Sequence, residues 1–430
     1  MAFQRVKGTM DVYGHYARTK EKVASVLKGM AELYHFSPFE TPVLEPTALF
    51  ERGSGETTDI VEKQMYTFFD KGGRSLTLRP EYTAGVARAI VENKLYATED
   101  LPIKAYYEGP LFRYERPGLG RYRQFTQFGV ECVGADSPWL DAETLLLAVE
   151  SLYYLGFKKV RALVNSLGGK ASRDAYRKAL VAYFTPHKDE LCPDCQRRLE
   201  TNPLRLLDCK VEHDHELAKG APSILDYLSE EDKARFEKIT RYLDALSIDY
   251  TVDPGLVRGL DYYSGFVFEV KIEGEKDYGS VLGGGHYDDL LSEVGGPELP
   301  GVGFAVGLER LVSSYMDEGL DKDADPGLDV YLMPIGTEAF ERSFGLLVET
   351  RLSGYSAEMP TKEGKLGAYF KKAERAGARY ALIYGDEELE AGKAQLKDLR
   401  KKEQVEIDLT KLAEELDARL GEEEEHHHAE

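Results

Sequence analysis

Residues 107–134 constrain the fold of this chain most strongly, because they predict two long strands joined by a tight turn at 117–120. Side chains alternate between the two faces of a strand. One face of the predicted hairpin is therefore mainly apolar, while the other collects polar groups and one aromatic ring: Arg113, Glu115, Arg121, Arg123, Phe125, Gln127 and Glu131. Such a face predicts a binding floor for a ligand with phosphates, a flat ring and an amine. The alternative is a solvated hairpin with scattered ion pairs.

Length and composition predict a folded protein of two domains plus an insertion, since the chain has 430 residues, of which 42% are hydrophobic and 30% charged. No run of about 18 apolar residues is present, and the first residues lack an apolar stretch, so we predict neither a membrane span nor secretion. Four cysteines favour a reducing, cytoplasmic environment over a disulfide framework. The net charge of −21 argues against nucleic-acid binding over the whole surface.

The C-terminal region has a different pattern. Residues 326–420 alternate between strand and helix signals, which predicts a small α/β domain with a mostly parallel sheet. Two of its segments, 362–379 and 393–402, each carry a net charge of +4. Charge runs are more often solvated faces than nucleic-acid sites, so these segments alone leave both interpretations open. Residues 421–430 are predicted to form a disordered tail rich in glutamate and histidine.

The first domain, predicted over 1–325, contains a mostly helical insertion at about 166–246. The insertion carries Cys192, Cys195, Cys209, His213 and His215. A C-x-x-C pair followed by further Cys and His residues resembles half of a zinc site. Because the second half is irregular, free thiols are the favoured interpretation and a structural zinc ion is not expected. The three cysteines remain weak zinc candidates.

A glycine-rich segment that ends in Arg310 predicts a strand with one bare face. Period two places residues 301, 303, 305 and 307, which are Gly, Gly, Ala and Gly, on the same side. A flat group can approach the backbone of such a face, and the following helix would deliver Arg310. Upstream, Glu81 and Thr83 fall at a predicted helix start, where helix capping and ligand binding fit the local sequence equally well.

Several of these segments resemble the motifs of class II aminoacyl-tRNA synthetases. FRYERPGLGRYRQFTQFGVE is similar to their motif 2, GVGFAVGLERL to motif 3, and FETPVLEP to the dimer-forming motif 1. LTLRPEYTAGVARA, LGGGHYDDL and especially LVRGLDYYSG resemble the histidyl-tRNA synthetase family. The resemblance covers residues 1 to about 420, with the motifs in family order. It implies an α+β catalytic domain built on an antiparallel sheet and a C-terminal α/β anticodon-binding domain.

The resemblance also implies a two-step reaction, in which histidine attacks the α-phosphate of ATP and the resulting adenylate is transferred to tRNA-His. Fixed cations are the main requirement of the first step, and Arg113 and Arg258 match family arginines at the α-phosphate. The other positions implied for ATP are Glu115, Arg121, Phe125 and Arg310. The positions implied for histidine are Glu81, Thr83, Gln127, Glu131, Tyr262 and Tyr263.

The remaining expectations concern partners. The resemblance implies tRNA contacts at Lys371, Lys372 and Arg375, ATP as its Mg²⁺ complex, no prosthetic group, and a homodimer. Tyr82 stands where the family frequently has a small residue, so it is expected to reshape the pocket wall. The alternative function is a synthetase-like regulatory subunit of ATP phosphoribosyltransferase, which senses histidine without charging tRNA. Such paralogues typically lack the C-terminal domain and parts of the histidine signature, and this chain keeps both.

Overall fold

A computed structural model describes residues 3–55, 58–209, 211–274, 276–325 and 327–427; for residue 212 and for 421–427 it describes the backbone only. The chain forms two compact units, Met1–Ala324 and Asp325–Glu430. Over the described ranges, no helix is long and apolar enough to cross a membrane.

The first unit is built on two sheets. Its strands are β1 (Ser37–Pro38), β2 (Leu44–Pro46), β3 (Tyr66–Phe69), β4 (Ser75–Leu78), β5 (Ile103–Phe112), β6 (Gln124–Val133), β7 (Val160–Ser166), β8 (Tyr250–Val252), β9 (Phe266–Ile272), β10 (Ser280–Tyr287) and β11 (Gly301–Gly307). Eight of them form one sheet in the order β1-β5-β6-β11-β10-β9-β7-β8. Neighbours from β5 to β7 are antiparallel, and only the edge pairs β1–β5 and β7–β8 are parallel. Strands β2, β4 and β3 form a small antiparallel sheet.

Helices cover this framework. They are α1 (Gly14–Leu33), α2 (Thr47–Gly53), α3 (Thr83–Glu92), α4 (Leu95–Thr98), α5 (Pro138–Tyr154), α6 (Lys170–Phe184), α7 (Pro193–Thr201), α8 (Glu212–Lys219), α9 (Glu230–Ala245), α10 (Leu290–Glu293) and α11 (Leu308–Asp317). Shorter turns are a π-helix at Ile60–Gln64 and 3₁₀ helices at Thr185–Glu190, Pro203–Leu206 and Ile224–Tyr227. In α1, Val23, Leu27 and Met30 are buried at helical spacing, which explains why this segment forms a helix against the sheet.

The large sheet separates two apolar clusters. In β9, Phe266, Phe268 and Val270 belong to the cluster that contains α1 and α5, whereas Val267 belongs to the cluster that contains α3 and the insertion. This alternation follows from the period of two along a strand. Helices α1 and α5 therefore cover one face of the sheet, and helix α3 and the insertion cover the other.

The central hairpin is shorter than the sequence predicts. Strand β5 ends at Phe112, which pairs with Gln124 at the start of β6. Arg113, Glu115 and Arg121 therefore lie in the connection, not on a strand face as predicted. Beyond the paired region the period of two no longer applies, and the connection closes through an isolated bridge between Gly118 and Arg121.

The predicted insertion is mostly helical. It follows β7, contains helices α6 to α9 with the three 3₁₀ turns, and leads into β8. Its helices bury residues at helical spacing, such as Tyr176, Leu180 and Phe184 in α6. These side chains join the same apolar cluster as Tyr107 and Tyr263, so the insertion packs on the sheet and is not a separate module.

The second unit contains a five-stranded sheet. Its elements are β12 (Val330–Ile335), α12 (Thr337–Leu352), β13 (Ala357–Glu358), α13 (Leu366–Arg375), β14 (Tyr380–Gly385), α14 (Asp386–Glu390), β15 (Lys393–Asp398), β16 (Gln404–Asp408) and α15 (Leu412–His427). The strand order is β13-β12-β14-β15-β16, in which β12 is parallel to β13 and β14. Strands β14, β15 and β16 are antiparallel, so the sheet is mixed, not mostly parallel as predicted. The reason is the short link between β15 and β16, which permits only a hairpin.

The tail also differs from its prediction. Helix α15 continues to His427, whereas residues 421–430 were predicted to be disordered; residues 428–430 lie outside the described part of the chain. Glutamate is a strong helix former, and the preceding turns are already packed through the buried Leu416. The predicted fold class, an α+β domain with a helical insertion and an α/β domain, is confirmed.

Candidate active site

Two adjoining cavities open on the large sheet of the first unit. The wide cavity has a volume of about 560 Å³ and the small cavity about 150 Å³. Both are lined by Arg113, Gln127 and Arg258, so they are continuous. All residues predicted for ATP line the wide cavity: Arg113, Glu115, Arg121, Phe125 and Arg310. All residues predicted for histidine line the small cavity: Glu81, Thr83, Gln127, Glu131, Tyr262 and Tyr263.

Arg113 lies just beyond the end of β5 and is held by the backbone. Its Nε donates to the carbonyl of Pro80 at 2.7 Å, and its guanidinium lies 5.3 Å from the centre of the Phe125 ring. Burial lowers the pKa of Arg113, but an arginine begins so far above neutrality that it stays charged. One anchor therefore orients a cation that lines the cavity.

Arg258 is fixed from the opposite side of the cavity. Its Nη1 forms an ion pair with Glu269 at 2.5 Å, while Arg205 of the insertion donates to its backbone carbonyl at 3.0 Å. The Nε of Arg258 is buried without a hydrogen-bond partner among the described residues. A Cβ at Gly283 would lie 2.4 Å from Nη1, so the glycine makes room for this guanidinium. A buried unpaired donor at this place is suited to a ligand oxygen.

Arg121 and Arg310 form the outer end of the wide cavity. Arg310 Nη1 donates to the Ser280 carbonyl at 2.5 Å, and Arg121 Nη1 lies 3.9 Å from a carboxylate oxygen of Glu115. Burial and then the charge of Arg121 lower the pKa of Arg310. Gly120 permits this approach, because it has a φ of +63° and a Cβ there would lie 3.0 Å from the Arg310 backbone. Two like charges are thus held together where an anionic ligand would offset their repulsion.

Glu131 is one of two buried acids of the small cavity. Its carboxylate accepts hydrogen bonds from Thr83 Oγ1 at 2.7 Å, Tyr287 OH at 2.9 Å and Tyr107 OH at 3.2 Å. Burial raises the pKa of Glu131 to about 8, although the bonds from Thr83 and Tyr287 oppose that rise. A cationic ligand would stabilise the charged form of this side chain.

Glu81 caps helix α3 and also lines the small cavity. It accepts from the backbone amides of Thr83 at 2.6 Å and Ala84 at 3.0 Å, and from Ser54 Oγ at 3.2 Å. Burial raises the pKa of Glu81, against the effect of these amide donors. The two interpretations of the sequence, capping and ligand binding, are therefore compatible, because one carboxylate has lone pairs for both.

Tyr262 and Tyr263 form the aromatic wall of the small cavity. Their ring centres lie 4.6 Å apart, and Arg173 of helix α6 donates to the Tyr263 carbonyl at 3.1 Å. Burial raises the pKa of both phenols, so both keep their protons near neutral pH. They can act as hydrogen-bond donors to a ring nitrogen.

The glycine-rich strand β11 behaves as its pattern predicts. A Cβ at Gly303 would lie 2.1 Å from a carboxylate oxygen of Glu131, so this glycine clears space for the acid. Ala305 and Gly307 line the wide cavity and leave the backbone accessible to a flat group.

Several residues that the sequence did not single out also belong to the site. Glu269 pairs with Arg258 and accepts from Ser280 Oγ, and Tyr107 and Tyr287 hold Glu131. A carboxylate between the apolar residues Phe268 and Val270 of the strand FVFEVKI is the signal that marks Glu269. The tyrosines carried no such signal, since buried tyrosines are common in sheets.

Two residues that the sequence associated with the binding face lie outside the cavity walls. Tyr82 does not line either cavity: it is buried and stacks on Tyr107 with ring centres 4.1 Å apart. Arg123 turns its guanidinium onto the ring of Tyr114 at 3.9 Å and does not line the wide cavity. Tyr82 thus supports a tyrosine that bonds Glu131, while Arg123 closes the hairpin connection.

The cysteines of the insertion form a cluster with an unexpected member. Ligand atoms of Cys192, Cys195, Cys209 and Asp214 all lie within 4.8 Å of one another. The neighbouring histidines, which the sequence offered as candidates, are not part of it; His213 Nε2 instead lies 3.7 Å from Glu190. Successive side chains of helix α8 point in different directions, so Asp214 is buried while His213 and His215 are exposed.

The basic residues predicted for tRNA lie on helix α13 of the second unit. Lys371, Lys372 and Arg375 are exposed, and their side chains make no ion pair with any residue that the structure describes. Tyr369 and Ala373, on the other face of α13, are buried. The helix therefore presents a solvent-facing row of cations.

Comparison with known proteins agrees with this architecture. Residues 8–311 match the model of the family described as histidyl-tRNA synthetase, and residues 329–419 match an anticodon binding domain. The histidine–tRNA ligase of Geobacillus kaustophilus is 48% identical over 427 residues, which cover 99% of this chain and 100% of that protein. The histidine–tRNA ligase of Bacillus subtilis is 46% identical over 411 residues, which cover 95% of this chain and 97% of that protein.

Solved structures agree as well. The apo histidyl-tRNA synthetase of S. aureus superposes with a TM-score of 0.82 at 38% identity, over 96% of this chain and 100% of that one. A Bacillus halodurans protein described as an ATP phosphoribosyltransferase regulatory subunit/histidyl-tRNA synthetase has a TM-score of 0.63 at 21% identity, over 88% and 97% of the two chains, which shows a shared fold alone. The family suggested by the motifs is confirmed: this chain belongs to the histidyl-tRNA synthetase family.

Proposed function

We propose that this chain is a histidine–tRNA ligase, which activates L-histidine with ATP and transfers it to tRNA-His, releasing AMP and pyrophosphate. The observation that carries the proposal is the convergence of four arginines, Arg113, Arg121, Arg258 and Arg310, on a cavity continuous with a pocket of buried acids. Curated relatives of nearly the same length are named histidine–tRNA ligases, which supports the same reaction.

The activation step follows from the chemistry of the wide cavity. A carboxylate oxygen of histidine attacks the α-phosphorus of ATP, the bond to the bridging oxygen breaks, and pyrophosphate leaves with both bonding electrons. No proton moves, because the nucleophile is already ionised. Negative charge grows on the phosphoryl oxygens, and Arg113 and Arg258 on opposite sides would stabilise it.

The other groups of the wide cavity would position the nucleotide. Arg121 and Arg310 suit the β- and γ-phosphates, and Phe125 offers a ring for adenine, opposite Arg310. Mg²⁺ would enter as part of the ATP substrate. Glu115 lines the same end of the cavity and supplies carboxylate oxygens, the ligand type that Mg²⁺ prefers.

The small cavity would select histidine. The ammonium group suits Glu131, Thr83 and Gln127, and the two imidazole nitrogens suit an acceptor at Glu81 and a donor at Tyr263. Tyr262 would close the aromatic wall. A site that pairs both ring nitrogens rejects ligands without them by roughly 10⁴-fold, because its own buried groups would stay unpaired.

The second step requires a tRNA partner. The C-terminal unit matches an anticodon binding domain, and the exposed cations of α13 suit RNA phosphates. Lys371, Lys372 and Arg375 are the proposed contacts. Contacts of this kind weaken as salt rises, since they release counterions.

We also propose a cytoplasmic homodimer. Residues similar to motif 1 include strand β2 of the small sheet, and Leu44, Phe68 and Phe69 on β2 and β3 expose 46%, 43% and 73% of their surface. Exposed apolar side chains grouped on one small sheet are typical of a subunit interface. Light scattering of the purified protein should give twice the chain mass, and a single-chain mass would contradict this proposal.

The function is tested by two assays on the purified protein. We expect histidine-dependent exchange of pyrophosphate into ATP, and histidine attachment to tRNA-His but not to other tRNAs. Histidine binding without exchange would overturn the proposal and favour a regulatory subunit. Exchange without tRNA charging would limit the activity to adenylate formation.

A further inference from the structure

The Cys/Asp cluster of the insertion, Cys192, Cys195, Cys209 and Asp214, has no role in the proposed reaction. Three of its members are buried, with Cys195, Cys209 and Asp214 exposing 0%, 5% and 2% of their surface. The Sγ atoms of Cys192 and Cys209 are 4.0 Å apart, and Cys209 Sγ lies 3.5 Å from Asp214 Oδ2. The cysteines are free, since a disulfide would need about 2 Å between sulfurs.

These distances fit a tetrahedral zinc ion. Zinc binds thiolates at about 2.3 Å and carboxylate oxygens at about 2.0 Å, so its tetrahedral angles place two sulfurs about 3.8 Å apart. The same geometry places a sulfur about 3.5 Å from the oxygen. Both values are close to the separations in the cluster, and all four ligand atoms lie within 4.8 Å of one another.

The carboxylate of Asp214 is buried next to the three cysteines. Over the described ranges this buried carboxylate forms no ion pair; it accepts from the Cys192 backbone amide, at 3.2 and 3.1 Å to its two oxygens, and from the thiol of Cys209. Burying a carboxylate without a cationic partner is costly, and thiols are weak donors. A metal ion at the centre of the cluster would supply that charge.

The chain positions the four ligands before any ion binds. Cys192 precedes helix α7 and Cys195 lies in its first turn, so the start of one helix brings two of the sulfurs together. Cys209 follows the 3₁₀ turn Pro203–Leu206, and Asp214 lies on α8. The amide of Cys192 orients the Asp214 carboxylate, as groups behind metal ligands commonly do.

We propose that Cys192, Cys195, Cys209 and Asp214 bind one Zn²⁺ ion as a closed structural site that holds helix α7 in place. Four protein ligands leave no open coordination position, so the ion takes no part in catalysis. This assignment differs from the sequence expectation of free thiols, because the sequence pattern did not reveal Asp214 as the fourth ligand.

The proposed site connects to the two cavities through α7. Arg198 Nη2 lies 2.7 Å from Asp59, Arg197 pairs with Glu62 at 3.1 Å, and Asp194 pairs with Lys63 at 3.1 Å. Glu62 and Lys63 belong to the π-helix Ile60–Gln64 and Asp59 directly precedes it, and Ile60 lines both cavities. Loss of zinc would therefore loosen a wall of the two cavities. The resulting loss of activity rests on the proposed function, whereas the binding of zinc can be measured without it.

Metal analysis of the full chain tests the site directly. Protein produced with zinc in the medium should contain about one zinc ion per chain more than Cys209→Ser does. Cys132→Ala is the matched control, because Cys132 lies in the sheet outside the cluster and should keep full zinc content. All three proteins keep the histidine-rich tail, so zinc bound there would appear equally in each.

Cobalt substitution makes the test independent of folding in the variant. The wild-type protein loaded with Co²⁺ should show the absorption bands of a thiolate-bound tetrahedral ion, and a chelator should lower its Tm. Equal zinc in the wild type and Cys209→Ser would overturn the proposal, as would absence of the cobalt–thiolate bands. A disulfide between Cys192 and Cys209 in freshly purified protein without metal would also overturn it.

Discussion

The wide and small cavities share part of their walls but hold their charged side chains in opposite ways. In the wide cavity, Arg113 and Arg310 are each anchored by one backbone carbonyl, and among the described residues their side chains make no other hydrogen bond. In the small cavity, Glu81 and Glu131 each accept three hydrogen bonds from the protein. The first arrangement leaves binding capacity for the ligand, while the second fixes shape before the ligand arrives.

This difference suggests a division of work. Cations with unused donors can follow charge as it develops on a phosphate, which affects rate. Carboxylates that the protein already holds by hydrogen bonds need little rearrangement when a ligand binds. Such preorganised groups mainly affect the affinity for the ligand. Substitutions in the wide cavity should therefore change kcat most, and those in the small cavity should change histidine binding most.

The largest effect is expected for Arg258→Ala. Loss of a fixed cation at the developing charge should lower kcat of histidine-dependent exchange by about 10³-fold. Histidine affinity, measured by calorimetry, should change less than about threefold, since the acids of the small cavity remain. Glu269→Gln is the control, because it removes the ion pair with Arg258 but keeps the cation. An unchanged exchange rate in Arg258→Ala would refute its role at the α-phosphate.

Glu131→Gln should affect the small cavity and leave the wide cavity unchanged. It removes a charged acceptor from the ammonium group, and charged hydrogen bonds contribute about 1.5–3 kcal/mol, so histidine affinity should fall by about 10–100-fold. ATP affinity should be unchanged, because Glu131 does not line the wide cavity. Equal losses for both ligands would mean that the substitution disturbs the sheet instead.

A variant outside both cavities should affect tRNA charging without affecting the activation of histidine. Replacing Lys371, Lys372 and Arg375 together by alanine should raise KM for tRNA by about tenfold and flatten its salt dependence. Exchange, which needs no tRNA, should proceed at the wild-type rate. If exchange fell with charging, these residues would matter for folding and not for tRNA.

The smallest effect is expected from pH. The folded pKa of Glu131 is raised to about 8 by burial, and the ammonium group favours the charged carboxylate, so binding releases a proton. Histidine affinity should therefore rise as pH increases, by about fivefold between pH 7 and 8, and level off above the folded pKa. Glu131→Gln should lose this rise, while the titration of histidine itself is common to both proteins. A parallel pH profile would contradict the assignment.

The predictions from the sequence succeeded where local period decides structure. Within β6, Phe125 and Gln127 line the cavities while Phe128, Val130 and Cys132 pack in the core, as alternation requires. Outside the paired strands the same rule failed, since Tyr122 lines the wide cavity and Arg123 does not. The hairpin connection follows contacts with Tyr114 and Gly8, which no local pattern encodes.

The second unit gives the same lesson at the level of topology. Most of its elements could be located from their periodicity, but the alternation of strand and helix suggested a mostly parallel sheet. Strand β15 was not separated from its basic surroundings, because Lys393 and Lys397 give it the same charge as the loop that follows. The direction in which two strands pair depends on the length of the link between them. Because β15 was not recognised as a separate strand, its short link to β16 was not recognised either.

The sequence by itself determined the family, the two domains' elements and the candidate ligand residues, because motifs and periodicity are local properties of the chain. Only the tertiary structure decided that Glu269 balances Arg258, that Tyr82 supports Tyr107, and that Asp214 completes the cysteine cluster. Such pairings join segments that meet only after folding. Their energies depend on distance and burial, which a linear pattern does not contain.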